Sequence, residues 1–144
     1  MITTIRRIEF DAAHRVYGHE GKCQHLHGHR YAAEVTVRAE HLDEVGRVID
    51  FSVVKELVGG WVDRHWDHNI LLNPDDPLAP ILTARSDNRD PFFMPEGNPT
   101  AECMAVYLWT IAQSLLSSNG LRVTRVRIYE TPNCFADYSP DPAH

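Results

Sequence analysis

Apolar and polar residues alternate in the first third of the chain, and this pattern predicts two long β-strands. Residues 2–13 form the first strand, in which Ile5 and Ile8 are out of step by one position, so we expect a bulge between them. Residues 27–40 form the second strand, with apolar side chains on one face and charged side chains on the other. The apolar faces of both strands are expected to line the core.

The last part of the chain predicts two further strands. Residues 123–131 place Val126 and Ile128 on the core face together with Glu130, and residues 134–138 are expected to return as a short strand after a turn. Burying a carboxylate without a partner is costly. Glu130 therefore lies either at an exposed strand end or beside a group that donates hydrogen bonds to it.

Apolar residues at helical spacing predict a first helix after residue 50. Asp50 or Ser52 can cap it. Two glycines at positions 59 and 60 weaken it, since each costs a helix about 1 kcal/mol relative to alanine. Its predicted buried stripe is Val54, Leu57, Val58, Trp61, Val62 and His65.

A second helix is predicted to begin within residues 98–102, with Asn98 as the cap, Pro99 at the first position and Glu102 in the first turn. Asn119 and Gly120 are expected to end this helix. Its predicted buried stripe is Met104, Leu108, Ile111 and Leu115, widened by Ala105, Tyr107 and Ala112.

The order of elements, two strands, two helices and two strands, indicates an α+β fold in which helices cover one face of an antiparallel sheet. Residues 73–98 carry five of the nine prolines and are expected to form a long loop or an irregular hairpin. With 43% hydrophobic residues, the 144-residue chain (1–144) is expected to form a single domain.

Composition narrows the class of protein. No apolar run is long enough to span a bilayer, and the first residues lack the apolar block of a secretion signal. The net charge of −6, without a basic block, argues against a nucleic-acid surface. Three cysteines without framework spacing favour reduced thiols and a cytoplasmic location, and Cys103 and Cys134 fit structural roles.

The densest group of chemistry-bearing side chains lies within residues 23–29. If this stretch opens a strand, His27 and His29 share a face, and His14 at the end of the first strand lies beside them. Three neutral imidazoles with an open fourth position form a catalytic zinc site. His25 is the alternative to His14 as third ligand, and an H-x-H pair also occurs without any metal.

Two neighbouring pairs add further chemistry. Asp67 precedes His68, and an aspartate can orient an imidazole, although the pair also fits a solvated loop end. Lys22 precedes Cys23 and favours the thiolate. Cys23 is then either a base above the metal or a fourth ligand that closes a structural site.

Together these motifs resemble the family of 6-pyruvoyltetrahydropterin and 6-carboxytetrahydropterin synthases. The matching segments are FDAAHR at 10–15, C-x-x-x-H-G-H at 23–29, DH at 67–68, PTAE at 99–102 and YET at 129–131. The three-residue gap between the cysteine and H-G-H resembles the 6-carboxytetrahydropterin synthases of queuosine biosynthesis. The segment from about Pro77 to Gly97 departs from the pattern, because it is longer than expected in a compact member.

The resemblance implies the tunnelling fold (T-fold), in which a four-stranded antiparallel sheet carries two helices on its outer face. Three subunits would close a twelve-stranded barrel, and two barrels would stack into a homohexamer. The implied activity is that of a lyase that converts 7,8-dihydroneopterin triphosphate to 6-carboxy-5,6,7,8-tetrahydropterin, with release of triphosphate and acetaldehyde.

The resemblance also implies the roles of the site residues. His14, His27 and His29 would bind Zn²⁺; Cys23 would act as a base; Asp67 and His68 would transfer protons, often into the site of a neighbouring subunit; and Thr100, Glu102 and Glu130 would hold the pterin ring.

Three alternatives remain at this stage. One is the sister reaction, which gives 6-pyruvoyltetrahydropterin from the same substrate. Another is a non-catalytic zinc- or pterin-binding homologue, against which Cys23 argues, since a pure binder needs no thiol at that position. The third is an aldolase-like activity on dihydroneopterin.

Overall fold

In the computed structural model of the protein, residues 1–85, 89–95, 97–117 and 120–140 are described. The strands are β1 (Thr3–His14), β2 (His27–Arg38), β3 (Asn69–Leu72), β4 (Phe92–Phe93), β5 (Arg122–Thr131) and β6 (Cys134–Tyr138). The helices are α1 (Phe51–Val54), α2 (Gly60–His65), α3 (Leu78–Arg85) and α4 (Ala101–Leu116), with a π-helical turn at Lys55–Gly59 and a 3-10 turn at Lys22–Gln24. Within the described ranges, no helix has the length and apolar character needed to cross a membrane.

All six strands belong to one mixed sheet in the order β4-β3-β1-β2-β5-β6. The four longer strands are antiparallel neighbours, as predicted, but β3 runs parallel to β1 and β4 runs parallel to β3. The expectation of a four-stranded antiparallel sheet is therefore wrong. The two added strands have only 4 and 2 residues, which is too short for alternation to reveal them.

β1 and β2 pair in continuous register along their whole length, so the expected bulge in β1 is wrong. Ile8 faces the core, whereas Ile5 lies on the opposite face of the sheet, where it is 45% exposed. Among the described residues no helix covers that opposite face, which we call the open face. The register shifts instead between Thr36 and Val37, where β2 meets β5, and near the end of β5.

The first predicted helix is present as α1, the π-helical turn and α2 in succession, and Asp50 rather than Ser52 caps it. Its buried residues recur every four positions, at Val54, Val58, Val62 and Trp66, while Leu57 is exposed. A spacing of four rather than 3.6 residues is what the wider π turn permits.

The second predicted helix is α4, which packs on β5 and β6. Thr100 caps it, accepting a hydrogen bond from the Cys103 amide at 3.2 Å, so the predicted cap at Asn98 is wrong. Leu116 is buried in place of the predicted Leu115. The predicted end at Asn119 lies outside the described residues.

The segment expected to be a long loop contains α3 and β4, so that prediction is wrong for these parts. Asp76 begins α3 by accepting a hydrogen bond from the Leu78 amide at 2.8 Å. Its buried carboxylate also accepts two hydrogen bonds from the Arg15 guanidinium, at 2.6 and 2.5 Å. Pro80 lies in the first turn of α3, where the missing amide proton costs no helical hydrogen bond.

Candidate metal centre and catalytic site

Three imidazoles meet where β1 ends and β2 begins. His14 is opposite His27 in the strand register, and His29 lies two residues further along the same face. The Nε2 atoms of His14 and His27 are 3.2 Å apart, and those of His27 and His29 are 3.1 Å apart. Within the part of the chain that the structure describes, these three residues form a group whose possible ligand atoms all lie within 4.8 Å of one another.

Main-chain carbonyls determine which nitrogen His14 and His27 present to this cluster. The Nδ1 of His14 lies 2.7 Å from the Pro99 carbonyl oxygen, and the Nδ1 of His27 lies 2.7 Å from the His25 carbonyl oxygen. An Nδ1–H that donates to a carbonyl leaves the Nε2 lone pair free for a metal. His25 thus contributes its main chain, while its own side chain is exposed.

The spacing of the nitrogens fits zinc. Ligand nitrogens at about 2.0–2.1 Å from a tetrahedral zinc ion lie about 3.3–3.4 Å from one another, close to the separations found here. His27 and His29 are half-buried, so the cluster is open on one side. The donor set therefore fits a three-imidazole zinc site with a free coordination position.

Burial favours the neutral, metal-binding form of two of the three imidazoles, His14 and His29. His14 is 1% exposed. Burial, with smaller contributions from His27 and His29, lowers the pKa of His14 to about 4 and outweighs the opposing effect of the Pro99 hydrogen bond. Burial also lowers the pKa of His29, and the charge of Glu130 partly opposes this change.

Tyr31 forms the floor of the cluster, a role that the sequence did not predict. It is fully buried, with its ring stacked on Phe10 at 5.2 Å and edge-on to His14 and His29 at 5.8 and 5.4 Å. This packing restricts rotation of both imidazoles. The only sequence signal was its position on the same strand face as His27 and His29.

Glu130 lies beside the cluster at the end of β5. Its Oε1 atom is 3.6 Å from the Nε2 of His14, and its side chain is 31% exposed. A carboxylate in this position can accept hydrogen bonds from a molecule that occupies the open side of the cluster.

Asp67 and His68 meet directly, although adjacent residues in a strand would point apart. One Asp67 oxygen accepts a hydrogen bond from the His68 Nδ1 at 2.8 Å, and the other accepts from the Asp11 amide at 3.0 Å. His68 has a φ of 55°, a left-handed conformation that costs energy in a non-glycine residue. Burial alone would raise the pKa of Asp67, but the hydrogen bonds from Asp11 and His68 lower it overall.

The His68 side chain lies on the open face of the sheet. It is 75% exposed and borders a depression of about 450 Å³ that is also lined by Asp11, Arg30 and the cluster residue His29. The cluster lies on the opposite, helix-covered face of the sheet. In this position His68 can reach a molecule outside its own chain.

Cys23 lies in the 3-10 turn of the loop between β1 and β2 and is half-buried. The Val16 amide donates to the Cys23 carbonyl at 2.9 Å. The Asn98 side chain bonds both main-chain groups of Tyr17 at 3.0 and 2.9 Å, which fastens the same loop to the segment before α4. Cys23 does not belong to the 4.8 Å histidine group, which argues against its being a fourth ligand.

The two remaining predicted residues lie in the first turn of α4. The Thr100 hydroxyl serves as the helix cap, next to the Pro99 carbonyl that orients His14. Glu102 is exposed and lines an apolar groove with Met94, Cys103 and Tyr107. Within one chain, this groove includes neither Glu130 nor a cluster histidine.

Comparison with known proteins identifies the family. The family model for 6-pyruvoyl tetrahydropterin synthase matches residues 3–141. Proteins named 6-carboxy-5,6,7,8-tetrahydropterin synthase are similar over most of their length: that of Rickettsia bellii is 43% identical, covering 95% of this chain and 99% of the relative, and that of Aquifex aeolicus is 31% identical, covering 94% and 96%.

Solved structures show the same fold. An uncharacterized protein from Wolinella succinogenes matches with a TM-score of 0.81 at 22% identity, covering 97% of this chain and 98% of the other. The 6-pyruvoyl tetrahydropterin synthase of Caenorhabditis elegans matches with a TM-score of 0.73 at 25% identity, covering 97% and 96%. The resemblance seen in the motifs is confirmed, and the chain belongs to the 6-pyruvoyl tetrahydropterin synthase family.

Proposed function

We propose that the protein is a zinc-dependent 6-carboxy-5,6,7,8-tetrahydropterin synthase of queuosine biosynthesis, a lyase that acts on 7,8-dihydroneopterin triphosphate. The observation that carries the proposal is the convergence of three imidazole Nε2 atoms at 3.1–3.2 Å. It occurs in a chain 43% identical to a protein of that name. The three-residue gap between Cys23 and the H-G-H motif also supports the carboxy product.

His14, His27 and His29 would hold the zinc. When bound there, zinc supplies Lewis-acid chemistry that polarises the side-chain hydroxyls of the substrate. The chain's own contribution is orientation. The carbonyls of Pro99 and His25 hold the rings in the ligand tautomer, and Tyr31 packs against two of them.

Glu130 would bind the pterin. Its two oxygens can accept from the amino group and the adjacent ring N–H of the pterin, a planar bidentate match. Its position 3.6 Å from His14 supports this role, because a pterin held there would place its side chain near the cluster. Thr100 and Glu102 would flank the ring, and Glu102 would do so from a neighbouring chain, since its groove includes neither Glu130 nor a cluster histidine within one chain.

Cys23 would take a proton from the substrate side chain, and His68, oriented by Asp67, would return protons to it. Elimination of triphosphate and cleavage of the side chain, with one water consumed overall, then give 6-carboxytetrahydropterin and release acetaldehyde. The exposure of His68 on the open face supports its action in the site of a neighbouring chain.

Assembly into a cytoplasmic homohexamer is part of the proposal. β3 covers the outer edge of β1 only at residues 12–14. Along residues 3–11 of β1, and along β6, no further strand among the described residues pairs with the outer edge. Unpaired strand edges favour addition of another strand, and joining β1 of one chain to β6 of the next would use both.

Product analysis tests the proposed reaction. Zinc-loaded protein is incubated with 7,8-dihydroneopterin triphosphate, and triphosphate, acetaldehyde and the pterin are quantified. We expect acetaldehyde and 6-carboxytetrahydropterin in equal amounts. 6-Pyruvoyltetrahydropterin without acetaldehyde would support the sister reaction instead, and pterin binding without turnover would support a non-catalytic homologue.

A further inference from the structure

A second cavity lies on the open face, at the end of the sheet remote from the histidine cluster. It has a volume of about 410 Å³. It is bordered by the start of β1, the end of β2, the start of β5 and the residue after β6, and none of the described residues that line it is an aspartate or a glutamate. The polar lining residues are Thr3, Thr36, Arg38, Arg122, Thr124, Arg125 and Ser139.

Strand register brings the basic residues together. Arg38 is opposite Arg122 across β2 and β5, and Thr36 is opposite Arg125. The register therefore places Arg38 and Arg125 together with Thr36 on the open face of the sheet.

Two polar atoms of the lining are buried without a hydrogen-bond partner among the described residues: the hydroxyl of Thr36 and the Nε of Arg125. Thr36 is only 6% exposed. Buried donors without acceptors are rare in native proteins, and an ion that supplies acceptors is one explanation for them.

The guanidinium groups of Arg38 and Arg125 retain donors for such an ion. Arg38 donates to the Met1 sulfur at 3.0 Å, which is a weak acceptor. Arg125 lies near Asp137, but both Asp137 oxygens already accept from Arg127, at 2.6 and 2.9 Å. Arg127 and, to a smaller extent, Arg125 lower the pKa of Asp137.

We propose that this cavity binds a phosphate-type oxyanion, either free orthophosphate or inorganic triphosphate. Guanidinium forks match phosphate oxygens in a bidentate manner, and the Thr36 hydroxyl supplies one more donor. The 12-residue strand β1 is about 36–40 Å long at the usual rise per residue. This length separates the cavity from the histidine cluster of the same chain.

Calorimetric titration of the full chain with orthophosphate, and separately with triphosphate, tests the proposal. We expect Arg38→Gln and Arg125→Gln each to weaken binding by about tenfold or more, since each removes charge-assisted hydrogen bonds. The matched control is Arg47→Gln, an exposed arginine paired with Asp43 and Asp50 on another surface, which should leave the affinity unchanged.

Thr36→Val is a second test that does not depend on the folding of an arginine variant. It removes a buried, unpaired hydroxyl, so the free protein should melt at the same or a higher temperature. The rise in melting temperature on adding the anion should be smaller than in the wild type.

The two ligands distinguish the source of the oxyanion. Similar affinities assign the cavity to a single phosphate group, and much tighter triphosphate binding assigns it to a chain of phosphates that spans several arginines. The proposal would be overturned if Arg47→Gln weakened anion binding as much as the cavity variants do. It would also be overturned if neither Arg38→Gln nor Arg125→Gln weakened anion binding. The proposal would also be overturned if a His27→Ala, His29→Ala variant no longer bound either orthophosphate or triphosphate. The anions would then bind at the histidine cluster.

Discussion

The orientation of two of the three imidazoles, His14 and His27, depends on single main-chain atoms. His14 is oriented by the carbonyl of Pro99, which lies 85 residues away in sequence. The sequence predicts the three histidines, because strand periodicity and register place them on one face. It does not predict the Pro99 carbonyl or the fit of Tyr31 beneath the rings, because every residue has a carbonyl and packing depends on the tertiary structure.

Glu130→Gln tests pterin recognition. The variant keeps one acceptor but loses the charge, so we expect unchanged zinc content and a pterin affinity lower by about tenfold or more. Titration with a pterin, beside metal analysis of the same sample, measures both. Unchanged affinity would mean that Glu130 is only a half-exposed strand end.

Cys23→Ala separates catalysis from metal binding. In the proposed site three imidazoles would supply the protein ligands, and Cys23 lies outside their group. We therefore expect full zinc content, an unchanged melting temperature and near-wild-type substrate binding. Loss of a general base should lower acetaldehyde release by about 10²–10⁴-fold. Cys134→Ala, at an exposed cysteine, is the matched control.

Two results contradict this role of Cys23. Loss of zinc together with stability would show that the thiol is a structural ligand. Turnover at the wild-type rate would show that the thiol is not the base.

Among the secondary-structure elements, the long strands and the two main helices were predictable, because their periodicity runs over many residues. α3, β3 and β4 were not, because tertiary interactions determine them. The pair of Arg15 and Asp76 joins residues 61 positions apart and holds the start of α3. The π turn likewise rotates the buried face of the first helix, so that Leu57 is exposed. A regular helical spacing of 3.6 residues does not predict this rotation.

Asp76→Asn tests the contribution of this pair. Asparagine keeps an acceptor for the Leu78 amide but loses the charge facing Arg15, so we expect a loss of about 2–4 kcal/mol in the free energy of unfolding at pH 7. Urea titration measures it. Asp43→Asn, at an exposed pair with Arg47, is the control and should show no comparable loss.

The effect of Asp76 should depend on pH. Burial alone would raise the pKa of Asp76, but the hydrogen bonds from Arg15 and Leu78 lower it overall. The stabilisation is therefore fully present above the unfolded-state pKa of about 3.9 and is lost as the pH falls through the lower folded-state value. The free energies of unfolding of the wild type and of Asp76→Asn should therefore converge at low pH. A difference between them that stays constant as the pH falls well below about 4 would contradict this role of Asp76.

For the whole molecule, the open face and the free strand edges suggest that the site is completed by assembly. The sequence predicted neither the arginine cavity nor the side of the sheet on which His68 lies. Both depend on the register in which the strands pair, which a single strand's sequence does not reveal. Light scattering should give a mass six times that of the 16.4 kDa chain, and a monomer at working concentration would contradict the proposed hexamer.

Complementation tests whether the site is shared between chains. Cys23→Ala and His68→Ala variants should each be nearly inactive alone. If Cys23 and His68 act from different chains, co-expressed mixtures should recover about a quarter of the wild-type activity, since random assembly restores that share of sites. No recovery in verified mixed oligomers would place both groups in one chain.

The most direct test of the account is zinc analysis of histidine variants whose melting temperatures show that they are folded. We expect one zinc per chain in the wild type and in His25→Ala, whose main-chain carbonyl is retained. Little or no zinc should remain in His14→Ala or in the His27→Ala, His29→Ala double variant, because each loses ligand nitrogens of the cluster. Full zinc stoichiometry in the double variant would contradict the three-imidazole site.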